Sequence, residues 1–90
     1  MKKDYSPLED LATCLAVKCS DFRRDGKIVT MTCYSVFGFV DARVFFEDVY
    51  PDIFGQYFSD GENIELHFCN YYAANKFMKL IKRMTIRYHD

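Results

Sequence analysis

The sequence predicts a small α/β domain with a largely parallel three-stranded sheet and three helices, in the order αβαβαβ. Three observations support this prediction. Apolar and polar residues alternate as in strands over three stretches, and apolar residues recur at helical spacing between those stretches. The helical stretches are about a dozen residues long, a length typical of the crossovers that join parallel strands. Because the strands alternate, we expect helices mostly on one face of the sheet and a partly polar second face.

The first predicted element is a helix from Ser6 to about Cys19. Ser6 is the expected N-cap, and Glu9 three residues later completes a capping box. The polar residues after this helix end in the turn pair Asp25-Gly26. The sequence leaves an alternative open at this point. A strand over residues 17–24 would then pair antiparallel with the next strand through the same turn.

The second predicted unit is a strand from Ile28 to Val36 followed by a helix. Alternation and a run of β-branched residues define the strand. Asp41 is the expected N-cap of the helix, Pro51 interrupts the helix, and a short continuation ends at Gly55. Residues 59–62 contain an Asp-Gly pair and are predicted to form a loop.

The third predicted unit is the most regular part of the chain. Its first strand covers Asn63–Cys69, and Asn70 is the expected N-cap of the helix that follows. The helix covers Tyr72–Arg83, with apolar residues on one side and lysines and arginines on the other. Alternation returns over Met84–Tyr88, which predicts the third strand.

Composition limits the class of protein. With 90 residues, half of them hydrophobic and 18% aromatic, we expect a single domain over residues 1–90 with an ordered core at about residues 6–88. The 12 basic and 13 acidic side chains give a net charge of −1, so nucleic acid is not the expected partner. No apolar run is long enough to cross a bilayer, and the N-terminus lacks the apolar segment of a signal peptide. We therefore expect a cytoplasmic protein without membrane contact and with reduced cysteines.

No residue pattern in the sequence points to catalysis or to a bound group. Cys69 ends a predicted strand just before a helix, where the helix dipole would lower a thiol pKa. Residues 70–73, however, lack the glycines and the arginine of a phosphatase-like loop. His67 and Cys69 are a close pair of potential zinc ligands, but two ligands do not make a site. We predict that the protein is not an enzyme and has no catalytic residue, metal or cofactor.

The expected function is binding to another protein, either a different chain or a second copy in a homodimer. In a parallel sheet the loops after the strands meet at one edge, where exposed aromatic side chains would anchor a partner. Lysines on the flank of the last helix would steer its approach. The predicted partner-binding residues are Phe37, Phe39, Asp41, Asn70, Tyr71, Tyr72, Lys76, Lys79 and Lys82. The alternative is that the two phenylalanines are core residues and that the tyrosines cover the helix start.

Residues 28–46, 64–69 and 77–81 resemble the middle and the end of a STAS-like domain. In that family a strand leads through a short apolar turn to an Asp at the start of a helix, and Asp41 falls at the corresponding place. Members that are switched by phosphorylation carry Ser directly after this Asp, whereas this chain has Ala42. The resemblance implies a non-enzymatic regulatory domain that acts by binding another protein.

Two other functions are compatible with a small chain that lacks a catalytic signature. The first is a phage or mobile-element inhibitor, of the anti-CRISPR or anti-restriction type, that binds a host nuclease complex. The second is nucleic-acid binding through the basic residues of the last helix, which the overall charge disfavours.

Overall fold

The computed structural model describes the backbone of residues 4–89 and the side chains of residues 4–85. Three α-helices, one π-helical segment and four strands follow one another along the chain. Their bounds, in order, are α1 Pro7–Ala16, β1 Cys19–Asp25, β2 Ile28–Cys33, α2 Val36–Arg43, the π-helical segment Val44–Val49, β3 Gly55–Asp60, β4 Asn63–Phe68 and α3 Tyr71–His89.

The four strands form one antiparallel sheet in the order β1-β2-β4-β3. The predicted largely parallel three-stranded sheet is therefore wrong. Two tight hairpins determine the observed topology, because Gly26 and Gly61 both adopt a positive φ in the turns that join β1 to β2 and β3 to β4. Strand β4 then pairs antiparallel with β2, so that Val29 lies opposite Leu66.

The first hairpin confirms the alternative that the sequence left open. Helix α1 ends at Ala16 rather than near Cys19, and β1 pairs with β2 through the turn at Gly26. The register of this pair shifts at Asp21, which adopts a φ of 56° and forms a bulge. Ser6 is the N-cap of α1 but makes no capping hydrogen bond with its side chain, so the predicted capping box is wrong.

The second hairpin contains a strand that the sequence prediction missed. Strand β3 precedes the turn at Gly61, and Tyr57 pairs with Leu66 of β4. An Asp-Gly pair beside alternating apolar residues is a strong hairpin signal, and Asp60-Gly61 precedes the alternating residues of β4. The prediction had assigned residues 59–62 to a loop and left residues 56–58 without an element.

The predicted C-terminal strand over Met84–Tyr88 is also wrong, because α3 continues to His89. The apolar residues at positions 84, 86 and 88 alternate as in a strand, but positions 84 and 88 are also four residues apart, which is helical spacing. A stretch of five residues is too short to distinguish the apolar period of a strand from that of a helix. The helix begins as predicted, since the Asn70 Oδ1 atom accepts a hydrogen bond of 2.8 Å from the Ala73 amide.

The hydrophobic core lies between the helices and one face of the sheet. Alternate residues of β2 and β4, such as Met31 and Leu66, point into this core and are buried. Their neighbours Thr30 and Glu65 lie on the other face of the sheet, which is less buried and partly polar. The expectation of one covered and one partly polar face is therefore confirmed, although the strands are antiparallel.

Candidate protein-interaction surface

The side of α2 that faces away from the core exposes three large apolar side chains. Val36, Phe37 and Val40 are 68%, 67% and 51% exposed. The helix packs through its opposite side, where Gly38 and Ala42 are buried one turn apart. We call the exposed side, formed by Val36, Phe37 and Val40, the α2 apolar face.

Close packing at Gly38 explains why the apolar face points outward. A Cβ atom built on Gly38 would lie 2.5 Å from the Cys33 sulfur and 3.3 Å from the Lys18 Cβ atom, so only glycine permits this approach to the sheet. Gly38 and Ala42 occupy the inner side of α2, and Val36, Phe37 and Val40 lie on its outer side. Phe39 is between these positions and packs half-buried against the core.

An ion pair near the C-terminal end of α2 connects the helix to the residues after α1. The Lys18 ammonium lies 2.5 Å from the Asp41 carboxylate, and both side chains are half-buried. The hydrogen bond to Asp41 raises the pKa of Lys18. Asp41 lies in the second turn of α2 and not at the helix start, where it was expected. Asp41 thus holds α2 against the segment that follows α1.

The start of α3 carries a second exposed aromatic group. Asn70 caps the helix and donates a hydrogen bond of 2.7 Å from its Nδ2 to the Tyr5 hydroxyl. The Tyr5 and Tyr72 rings meet edge to face at 5.3 Å, and the Lys76 ammonium lies 5.7 Å from the centre of the Tyr72 ring. Tyr72 nevertheless remains 59% exposed.

The Tyr71 ring lies beside Gly26 in the β1–β2 turn. A Cβ atom built on Gly26 would be 3.5 Å from its ring, and the Lys27 ammonium lies 5.9 Å from the ring centre. Tyr71 is 63% exposed.

The α2 apolar face and these tyrosines do not lie at the same end of the sheet. Helix α2 follows the end of β2, where the Cys33 amide donates to the Glu62 carbonyl near the start of β4. Helix α3 follows the end of β4, which lies beside the start of β2 because Ile28 pairs with His67. The predicted convergence is therefore wrong, since the neighbouring strands β2 and β4 run in opposite directions and end at opposite ends of the sheet.

Two of the three predicted lysines, Lys79 and Lys82, belong to a third surface between α3 and β1, whereas Lys76 lies beside Tyr72. Lys79 and Lys82 line a cleft of about 430 Å³ together with Arg23 and Arg24. Within residues 4–85, none of these four cations forms an ion pair. The sequence prediction missed the two arginines because it did not place residues 17–24 in a strand beside the last helix.

The four cysteines are free and differ in exposure. Cys69 is exposed, and its sulfur lies 3.7 Å from the Asp52 carbonyl oxygen. Cys19 and Cys33 are opposite each other in the β1–β2 ladder and are both buried. Burial, together with a hydrogen bond to Cys33, raises the pKa of the Cys19 thiol far above its usual range. Burial also raises the pKa of Cys14.

We expect a thiol reagent at neutral pH to modify Cys69 in the native protein and to modify Cys19 and Cys33 only after unfolding. Both sulfurs are buried, and the raised pKa of Cys19 also lowers the population of its thiolate, which is the reacting species. Mass spectrometry after iodoacetamide treatment, with and without urea, measures the labelling of each site. Rapid labelling of Cys19 without urea would contradict the observed burial.

Among the described residues, no group of three His, Cys, Asp or Glu side chains is placed to hold a metal ion. No helix within residues 4–89 combines the length and the apolar character required to cross a bilayer. Comparison with protein-family models, curated proteins and solved structures finds no match.

Proposed function

We propose that this protein is a non-enzymatic module that binds another protein, and that the α2 apolar face is the centre of the contact. One observation carries the proposal: Val36, Phe37 and Val40 lie on one side of a helix and are each more than half exposed. Contiguous apolar surface of this kind is uncommon on monomeric proteins except where they bind a partner.

Phe37 is the expected anchor of this contact. It is the largest side chain of the α2 apolar face, and aromatic residues are enriched at the centres of protein interfaces. Truncation of a central aromatic residue typically costs about 2 kcal/mol or more, which is roughly a thirtyfold loss in affinity.

The helix is held rigidly enough to present this face without a large ordering cost. Gly38 packs closely on Cys33, and Lys18 pairs with Asp41. At the N-terminus the Ser35 side chain accepts a hydrogen bond of 3.2 Å from the Phe37 amide. A preorganised surface loses less conformational entropy on binding, so more of the contact energy contributes to affinity.

The identity of the partner separates two biological roles. A STAS-like regulatory domain would bind a component of a signalling pathway, whereas a phage inhibitor would bind a host nuclease complex. Both roles require a contact surface and no catalytic group. The resemblance to STAS-like domains stays a prediction, and the proposal of a binding module does not depend on it.

A matched pair of valines provides the test. Val40 is 51% exposed on the α2 apolar face, and Val49 is 52% exposed at the end of the π-helical segment. We expect Val40→Asp to abolish capture of the partner from cell lysate, because it places a charge in the apolar contact. Val49→Asp should capture the partner as the wild type does. Both variants should unfold within a few degrees of the wild type.

Other outcomes would assign the contact to a different surface or to a different partner. If Tyr71→Ala and Tyr72→Ala abolish capture while Val40→Asp does not, the start of α3 is the binding surface and the α2 assignment is wrong. If light scattering finds a wild-type dimer that Val40→Asp makes monomeric, the α2 apolar face binds a second copy of the chain. Equal capture by all four variants would contradict both surfaces.

A further inference from the structure

We propose that the outer edge of β3 accepts an extended, basic segment of a partner protein as an additional strand of the sheet. Strand β3 is an edge strand, since it pairs with β4 on one side and with no strand of the described residues on the other. The inference goes beyond the proposed function, because it concerns a different surface and a different mode of recognition.

Backbone groups along this edge are available to a new strand. The Cys69 amide donates to the Phe54 carbonyl at 2.7 Å, whereas the Phe68 amide donates to the Lys27 carbonyl at 2.9 Å on the other side of β4. In an antiparallel ladder the amide and carbonyl groups of successive residues point to opposite sides of the strand. The amide and carbonyl groups of Tyr57 and Ser59 therefore point away from β4, toward the position of an added strand.

The edge of β3 lacks the features that protect the opposite edge. Strand β1 has a bulge at Asp21 and ends in the charged run 23–25, both of which discourage strand addition. Strand β3 pairs with β4 without a register shift from Gly55 to Asp60, and Asp60 is its only charged residue. It contains no proline and no lysine. The two edges of one sheet thus differ in their readiness to pair.

A groove beside β3 would receive side chains of the added strand. This groove has a volume of about 340 Å³ and lies between β3 and the π-helical segment, with Phe46, Pro51 and Tyr57 among its walls. Alternate residues of a strand point to the same face of a sheet, so every second side chain of the partner would enter this groove. Strand addition gains affinity from main-chain hydrogen bonds and specificity from such pockets.

The charges around the groove favour a basic partner over a second copy of the chain. Glu47 is the only charged residue in the wall of the groove among residues 4–85, with Asp48 exposed beside it and Asp60 exposed at the end of β3. Arg43 forms an exposed ion pair of 3.4 Å with Glu47 and offsets that charge, so the net negative charge near the edge comes from Asp48 and Asp60. Two copies joined through β3 would bring both sets of carboxylates together, and like charges disfavour that arrangement.

The test is selection of peptides from a random library on the wild-type protein alone, followed by measurement of their binding to Ser59→Pro. Proline at position 59 removes an outward amide but leaves the pairing with β4 intact. Selected peptides should alternate apolar residues and carry lysine or arginine at their ends. Ser59→Pro should bind them about tenfold more weakly, since one edge hydrogen bond is lost and the proline ring obstructs the new strand.

A second measurement leaves the protein unchanged and so remains valid if Ser59→Pro fails to fold. Each selected peptide is methylated at one backbone nitrogen at a time. Binding should fall about tenfold at every second position and stay near the unmethylated value at the positions between. Loss at consecutive positions or at none would overturn strand addition, as would a library without enriched peptides.

Two controls separate this proposal from the others. Val40→Asp should bind the selected peptides as the wild type does, so a failure of the α2 contact would not affect this result. If the wild type forms a dimer that Ser59→Pro makes monomeric, a second copy occupies the edge and the assignment of a basic partner segment is wrong.

Discussion

Gly55→Ala is expected to destabilise the protein by at least about 3 kcal/mol. Gly55 adopts a φ of 128°, a conformation that side-chain-bearing residues rarely adopt. A Cβ atom at this position would also lie 1.9 Å from the His67 carbonyl oxygen. Because that oxygen belongs to the backbone of β4, the clash can be relieved only by disturbing the pairing of β3 with β4.

Gly61→Ala is the matched control for this prediction. Gly61 also has a positive φ, of 62°, but a Cβ atom there would meet no other atom within 4 Å. Its substitution should therefore cost only the backbone strain of a left-handed residue, about 1–2 kcal/mol. Urea unfolding followed by circular dichroism measures both differences. Equal shifts of the two unfolding midpoints would show that the contact with His67 does not matter.

Local patterns in the sequence were sufficient to place several elements but not to pair them. Strands β2 and β4 and the starts of α1 and α3 lie where alternation, helical spacing and the Asn70 cap predict them. The parallel arrangement was inferred from helices between strands. That inference failed because residues 19–25 and 55–60 are also strands, each joined to its neighbour through a two-residue turn that begins with glycine.

The α2 apolar face was predictable only in part. Phe37 was among the expected binding residues, but the helix was expected to begin at Asp41, so its exposed side was not recognised. Apolar residues are usually assigned to the core, and sequence alone does not show which side of a short apolar helix is buried. The spacing of Gly38 and Ala42, four residues apart, was the available signal for the inner side.

The groove beside β3 depends on contacts that no local pattern reveals. The π-helical segment follows α2 directly and ends where the Tyr50 amide donates to the Phe45 carbonyl at 2.9 Å. Such segments carry one extra residue per turn and are not distinguished by apolar spacing. The segment turns Phe46 inward and leaves Glu47 at the wall of the groove.

Phe54→Ala is the second substitution with a large expected effect, a loss of about 3–5 kcal/mol. Phe54 is fully buried, and its ring lies at the centre of an aromatic cluster. The rings around it, at centroid distances of 5.2 to 6.3 Å, are those of Phe45, Phe46, Tyr50 and Phe68. Four aromatic neighbours cannot all move inward, so the substitution should leave a cavity as well as remove apolar burial.

The cluster also connects the π-helical segment to β4, so its loss should affect more than the site of substitution. The Phe54 amide donates to the Tyr50 carbonyl at 3.0 Å, and the Phe54 carbonyl accepts the Cys69 amide just beyond β4. Phe58→Ala is the control, because Phe58 is 47% exposed on the open face of the sheet and should cost less than about 1 kcal/mol. Thermal and urea unfolding of both variants measure the difference. If the two phenylalanines contribute equally to the free energy of unfolding, the aromatic cluster does not hold the π-helical segment against the sheet.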